Sequence, residues 1–191
     1  MQKSKKIILY LIMIILYSCS GRVKQHTFNR PEEIIKMKKL AIAPFHNLTQ
    51  KLDAGVIMNH MIMAELIKNR TIKIIKYGDV YEALLKEHIN APATLDRATL
   101  RMLRDTLKVD GVLVGTLIIY KEDPEGTEIR FDATLLDTDD GTIVWKGEFH
   151  KSGNTYSPSH LFQKTDSQMI LALAQRIAIE LVDTLSLNMS P

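Results

Sequence analysis

One thiol stands out among the side chains that could do chemistry, because of what leads up to it. Cys19 is the single cysteine of the 191 residues. Ahead of it lie three lysines (Lys3, Lys5, Lys6) without an acid, then an unbroken apolar run from Ile7 to Leu16, then Tyr17 and Ser18. A charged start, a short apolar stretch and a small residue before the cut have the layout of a secretory leader. The run is too short to cross a bilayer comfortably, since a spanning helix takes about 20 residues. The other reactive side chains show no comparable arrangement. His26, His46, His60, His88, His150 and His160 have neither metal-ligand spacing nor attendant carboxylates. Asp137, Asp139 and Asp140 beside Gly141 have the look of a calcium loop, but the Glu at position 148 would be carried away on a strand. Turn chemistry is the better reading of those aspartates. The chain holds no Gly-rich phosphate loop and no Gly-x-Ser-x-Gly elbow. These patterns point to a non-catalytic protein with no cofactor, no metal and no small-molecule substrate.

Leu16-Tyr17-Ser18-Cys19 resembles the bacterial lipobox, a Leu and two small residues before Cys, although Tyr17 is larger than the residue usual at its place. The resemblance implies cleavage after Ser18, diacylglycerol on the Cys19 sulfur and acylation of the new amino terminus. A thiol in an ordinary secretory leader and an uncleaved membrane anchor are the competing readings. One acyl chain binds membranes marginally, at about 0.8 kcal/mol per buried methylene, so three chains would anchor the protein durably. Ser20, by the sorting habit of such lipoproteins, implies an outer-membrane address, with the protein facing the periplasm.

Cleavage also changes the charge. Of 25 basic residues the leader takes three, leaving 22 against 22 acids over the remaining 173 residues. The mature chain is formally neutral, which excludes a nucleic-acid signature. With Cys19 lipidated no disulfide can form, so the fold must stand on its hydrophobic core.

The elements that follow are read from period and punctuation. Residues 1–18 are the signal peptide and 19–37 a lipid-anchored tether without clean period. Residues 38–187 form one globular domain. Lys39 to Phe45 is a buried strand, with Pro44 at its end. After a loop, Ala54 to Asn69 is a helix apolar nearly all round, which predicts burial on more than one side. Ile72 to Ile75 is a short strand. Tyr77-Gly78-Asp79 breaks the chain and caps a helix to about His88, and Thr94 to Lys108 is another. Gly111 to Tyr120 is apolar on both faces and reads as a central strand. Ile129, Phe131, Ala133 and Leu135 alternate with polar residues, giving a strand with one wet face; Ile143, Trp145, Gly147 and Phe149 do the same on its partner. Thr165 to Gln168 fits a capping box ahead of a final amphipathic helix. The order β-α-β-α-α-β-β-β-α predicts an α/β (α+β) fold: a mixed sheet of about five strands with helices packed on it, the first two strands parallel.

Several of these pieces together are similar to one group of envelope proteins. They are Lys39-Leu-Ala-Ile-Ala-Pro-Phe45 with Asn47, the helix after it, Leu107-Lys-Val-Asp-Gly-Val-Leu-Val-Gly-Thr116, and Leu135-Leu-Asp-Thr-Asp-Asp-Gly-Thr-Ile-Val-Trp145. The group comprises the amino-terminal domain of TolB, the curli-secretion channel lipoprotein, the Pel polysaccharide-export lipoprotein and the lipoprotein activator of penicillin-binding proteins. The resemblance covers about residues 38–150 and implies an anticodon-binding-domain-like fold. The chain lacks both the long hairpin insertions of the curli channel and the TolB propeller, and in size it is nearest the Pel lipoprotein. The function implied is an assembly or accessory subunit of an envelope export complex. Its expected partners are the membrane, through the lipid, other envelope proteins and further copies of itself. The alternatives are a lipoprotein regulator of a cell-wall synthase and an envelope lipoprotein of another role. Met58, Met61 and Met63 lie on the helix that is apolar all round. They read either as core or as the surface that meets a partner, Met being suited to adaptable interfaces.

Overall fold

The computed structural model describes residues 26–28, 31–68, 72–123, 126–153 and 166–186. In chain order these form β1 (His26–Phe28), α1 (Pro31–Lys36), β2 (Lys39–Ile42), β3 (His46–Asn47), α2 (Ala54–Lys68) and β4 (Lys73–Ile74). Then come α3 (Tyr77–Lys86), α4 (Arg97–Leu107), β5 (Gly111–Asp123), β6 (Gly126–Asp137), β7 (Ile143–Gly153) and α5 (Asp166–Ser186). One seven-stranded sheet runs β1-β7-β6-β5-β2-β4, with β3 also on β5. Strands β2, β4 and β5 are parallel, whereas β5, β6 and β7 form an antiparallel meander. The fold class is the mixed α+β sheet expected from the element order, with β1 and β3 added to the five strands.

Each addition has a local cause. The strand expected over Lys39 to Phe45 ends at Ile42, and the chain pairs again only at His46–Asn47, opposite Thr116–Leu117 of β5. Pro44, between the two pairings, has no N–H to give a ladder. The stretch 19–37, expected to be a tether, joins the fold from residue 26. His26, Thr27 and Phe28 pair with Gly147, Lys146 and Trp145, and Ile34 of α1 is fully buried. Helix α4 starts at Arg97 rather than Thr94, because Asp96 caps it by accepting the Thr99 N–H at 2.8 Å. Tyr77-Gly78-Asp79 is the first turn of α3, not a break before it. The expected capping box opens at Thr165, outside the described residues, as do the signal peptide and Cys19.

The sheet has an apolar layer on each side. On one face Leu40, Ile42, Leu113, Leu117, Phe131, Leu135, Trp145 and Phe149 meet α2 and α5. On the other, Ala41, Ala43, Val112, Val114 and Leu136 meet α3 and α4. Alternate residues of β2 and β5 therefore serve opposite cores, which is why both strands lie inside the sheet. Among the described residues no helix is long and apolar enough to cross a membrane.

Candidate interaction surface

The connection from β3 to α2 is short, polar and tightly bonded. Leu48 N–H donates to the Leu117 carbonyl at 3.0 Å, which ties the loop to β5. The Asn47 carboxamide then organises the turn: its Oδ1 accepts from Thr49 N–H (3.0 Å) and Thr49 Oγ1 (2.8 Å), and its Nδ2 donates to the Lys51 carbonyl (2.7 Å). This is the Asx geometry that lets a side chain replace a backbone turn. His46 Nδ1 donates to the Ala91 carbonyl at 3.0 Å and pins the loop from the other side. Held this way, the loop turns two leucines outward. Leu48 is 60 % exposed and Leu52 93 %, and Val56, one turn into α2, is 44 % exposed. Fully burying a leucine gains roughly 1.5–3 kcal/mol, so this surface has energy to release on contact with a partner.

The methionines are placed differently. Met58 is fully buried against the sheet with Ala54, Ile62 and Leu66, while Met61 and Met63 are half-buried against the same core. The expectation that Met58 forms a partner surface is therefore corrected: it is core. Helix α2 is apolar nearly all round because it meets two elements of its own chain, the sheet below and α5 beside it, where Gln175 donates to the Glu65 carboxylate. Its exposed apolar residues are Val56 and Ile67. Ser18 and Cys19 lie outside the described residues.

The remaining reactive groups do structural work. Asp137 Oδ1 accepts Asp139 N–H, Asp140 Oδ1 accepts Thr142 N–H and Oγ1, and Gly141 takes φ +74°, so the aspartates build the β6–β7 turn. His60 meets the Tyr77 ring edge-on at 5.8 Å, and His150 Nε2 lies 2.8 Å from Glu128. Among the described residues no group of three His, Cys, Asp or Glu could hold a metal ion. Burial, followed by Glu122 and Asp53, pushes the Tyr120 hydroxyl up to about 12. A groove of about 270 Å³ between α3 and α4 is lined by Asp79, Glu82, Lys86, Glu87, Met102 and Leu107 among others, and Lys86 is paired with Glu82 at 3.0 Å.

No protein-family model matches the chain, and no curated protein matches it. Solved structures do. A PelC dodecamer from Paraburkholderia phytofirmans aligns at 14 % identity over 85 % of this chain and 98 % of that one, with a TM-score of 0.58. Lipoprotein GNA1162 from Neisseria meningitidis aligns at 18 % identity over 74 % and 98 %, with a TM-score of 0.53. The hypothetical protein CT253 from Chlamydia trachomatis aligns at 11 % identity over 78 % and 95 %, also at 0.53. At such identities the likeness is one of fold.

Proposed function

We propose that this chain is a lipid-anchored protein of the bacterial envelope, held through Cys19 in the outer membrane and facing the periplasm. It works without catalysis, as an assembly or accessory subunit of an export complex, and its copies associate through Leu48, Leu52 and Val56. The observation that carries the reading is the loop that holds Leu48 and Leu52 in solvent by five side-chain and backbone hydrogen bonds. Apolar side chains grouped on one ordered surface are the kind of patch at which proteins meet. The fold is shared with a protein solved as a dodecamer and with a lipoprotein, which supports both halves of the proposal.

The test is the mass in solution, by light scattering, of the lipidated protein in mild detergent and of the lipid-free protein that starts at residue 20. A defined oligomer is expected in detergent, lowered in mass by Leu48→Ser with Leu52→Ser while the far-ultraviolet spectrum stays unchanged. A monomer in both preparations refutes the assembly reading and leaves a monomeric regulator of a cell-wall synthase.

A further inference from the structure

Among the described residues, the second face of the sheet is covered over β4, β2 and the first half of β5. Past Leu136 the face of β6 and β7 carries no helix among the described residues. Arg130, Lys146 and His150 are exposed there, and Asp132 and Glu148 are half-buried. Strand register sets these side chains in rows. Arg130 lies opposite His150, Asp132 opposite Glu148, and Thr134 opposite Lys146. A positive row thus borders a negative one, with Glu128 beyond the first and Lys146 beyond the second.

The negative row is left in poor condition. Two carboxylates directly across a strand pair repel each other, and the buried Oδ1 of Asp132 has no hydrogen-bond partner among the described residues. Burial and Glu148 together raise the Asp132 carboxyl above its ordinary range, against the pull of Arg130 and Lys146. Lys146 reaches Glu148 at 3.3 Å, whereas Arg130 forms no ion pair among the described residues. Among the described residues, then, a guanidinium outside any ion pair and a carboxylate with one unpartnered oxygen sit in neighbouring rows.

We propose that two copies of this chain pack this face sheet against sheet, about a two-fold axis lying between the Arg130–His150 row and the Asp132–Glu148 row. Such an axis brings Arg130 of each copy onto Asp132 and Glu148 of the other. In the next rows out Glu128 of one copy lies over Thr134 of its mate, with the mate's Lys146 beside it on the adjacent strand. The pattern is complementary to itself, which is what an isologous contact requires. Aligned sheets pack about 10 Å apart, a distance that long arginine and lysine side chains span. Arginine suits the contact because its planar fork can serve both carboxylates. The inference rests on the reading that copies associate, and adds an interface separate from the leucine surface. Two separate self-contacts suffice for an assembly larger than a dimer.

Charge reversal tests it on the lipidated full-length protein in detergent, by sedimentation velocity at low salt. Arg130→Glu and Asp132→Arg should each halve the mass of the assembly and weaken its association at least tenfold. Both reversals in one chain should restore the wild-type mass, with the effect fading in high salt. Glu128→Lys and Lys146→Glu form an independent pair that should behave the same way. If the single reversals leave the mass unchanged while Leu48→Ser with Leu52→Ser lowers it, copies associate but not through this face, and the inference is overturned alone. Failure of the double reversal to restore a folded protein's mass also overturns it. A monomeric wild-type protein overturns the inference together with the function on which it rests.

Discussion

Gly115, in the middle of β5, offers a sharp test of how closely the core is packed. A Cβ built there would lie 2.4 Å from Phe131 Cζ, 2.8 Å from its Cε2 and 2.9 Å from Phe45 Cδ1. Carbon atoms settle at about 3.5–4.0 Å, so the Phe131 ring would have to retreat by roughly 1 Å. It has nowhere to go. Phe131 is fully buried, and the Phe45 ring already lies against it with centroids 4.9 Å apart. Overpacking of this kind costs about 1–3 kcal/mol. Gly115 does not take positive φ, so alanine returns about 0.4–1 kcal/mol by restricting the unfolded chain. Gly115→Ala should therefore destabilise the protein by about 1–2 kcal/mol, seen as a lower urea midpoint at unchanged slope. An unchanged or higher midpoint refutes the reasoning. Phe131→Leu in the same chain should relieve the clash, so that the double variant falls short of additivity by about 0.5 kcal/mol or more. Strict additivity would mean that the glycine makes room for something other than this ring.

Met58→Ala should cost about 2–5 kcal/mol in equilibrium unfolding, and Met61→Ala much less, because the first residue is sealed in the core and the second is half-covered. Equal and small effects would return Met58 to the surface. Tyr120 should ionise near pH 12 in an ultraviolet titration. Since its folded value lies above the ordinary tyrosine value of 10.0, the unfolded chain loses this proton first, and stability should fall as pH rises through the interval from 10.0 to about 12. Tyr120→Phe should flatten that fall, and an unaltered profile would place its cause elsewhere. Asp132 has its folded pKa raised above 3.8, so its charged form penalises the folded state. Asp132→Asn should therefore raise the thermal midpoint of the monomer at neutral pH, and the gain should shrink as acid protonates Asp132 in the wild type. A gain that persists undiminished in acid would exclude this cause.

Period was legible in the sequence; partners were not. The unbroken apolar runs of β2 and β5 identified buried strands, and Leu40, Ala41, Val112 and Leu113 are all buried. Alternation failed one step along β7. Ile143 shares the parity of Trp145 and Phe149, yet it is 41 % exposed while Val144 is sealed. The cause is a register shift between Leu135 and Leu136, which leaves Val144 as an extra residue in the ladder, and neither Gly nor Pro marks it. For α2 the period was absent rather than misleading. Apolar residues all round say that two sides are covered, and only the packing of α5 shows that the second cover is internal. The leucine surface went unseen because Leu48 and Leu52 sit among Asn, Thr, Gln, Lys and Asp, a composition that reads as an ordinary loop. Two leucines in such a loop were nonetheless the available signal.

The way β1 lies on β7 has a mechanical consequence. The three pairs run antiparallel, so a pull on the chain ahead of His26 along the strand direction loads all of them in shear at once rather than peeling them one after another. Should they yield, slack is taken up only as far as α1, where Ile34 is fully buried and Met37 nearly so. The domain thus meets tension from its amino-terminal side with two catches in series, a hydrogen-bonded one and an apolar one behind it. The main sheet bears load only after both have let go.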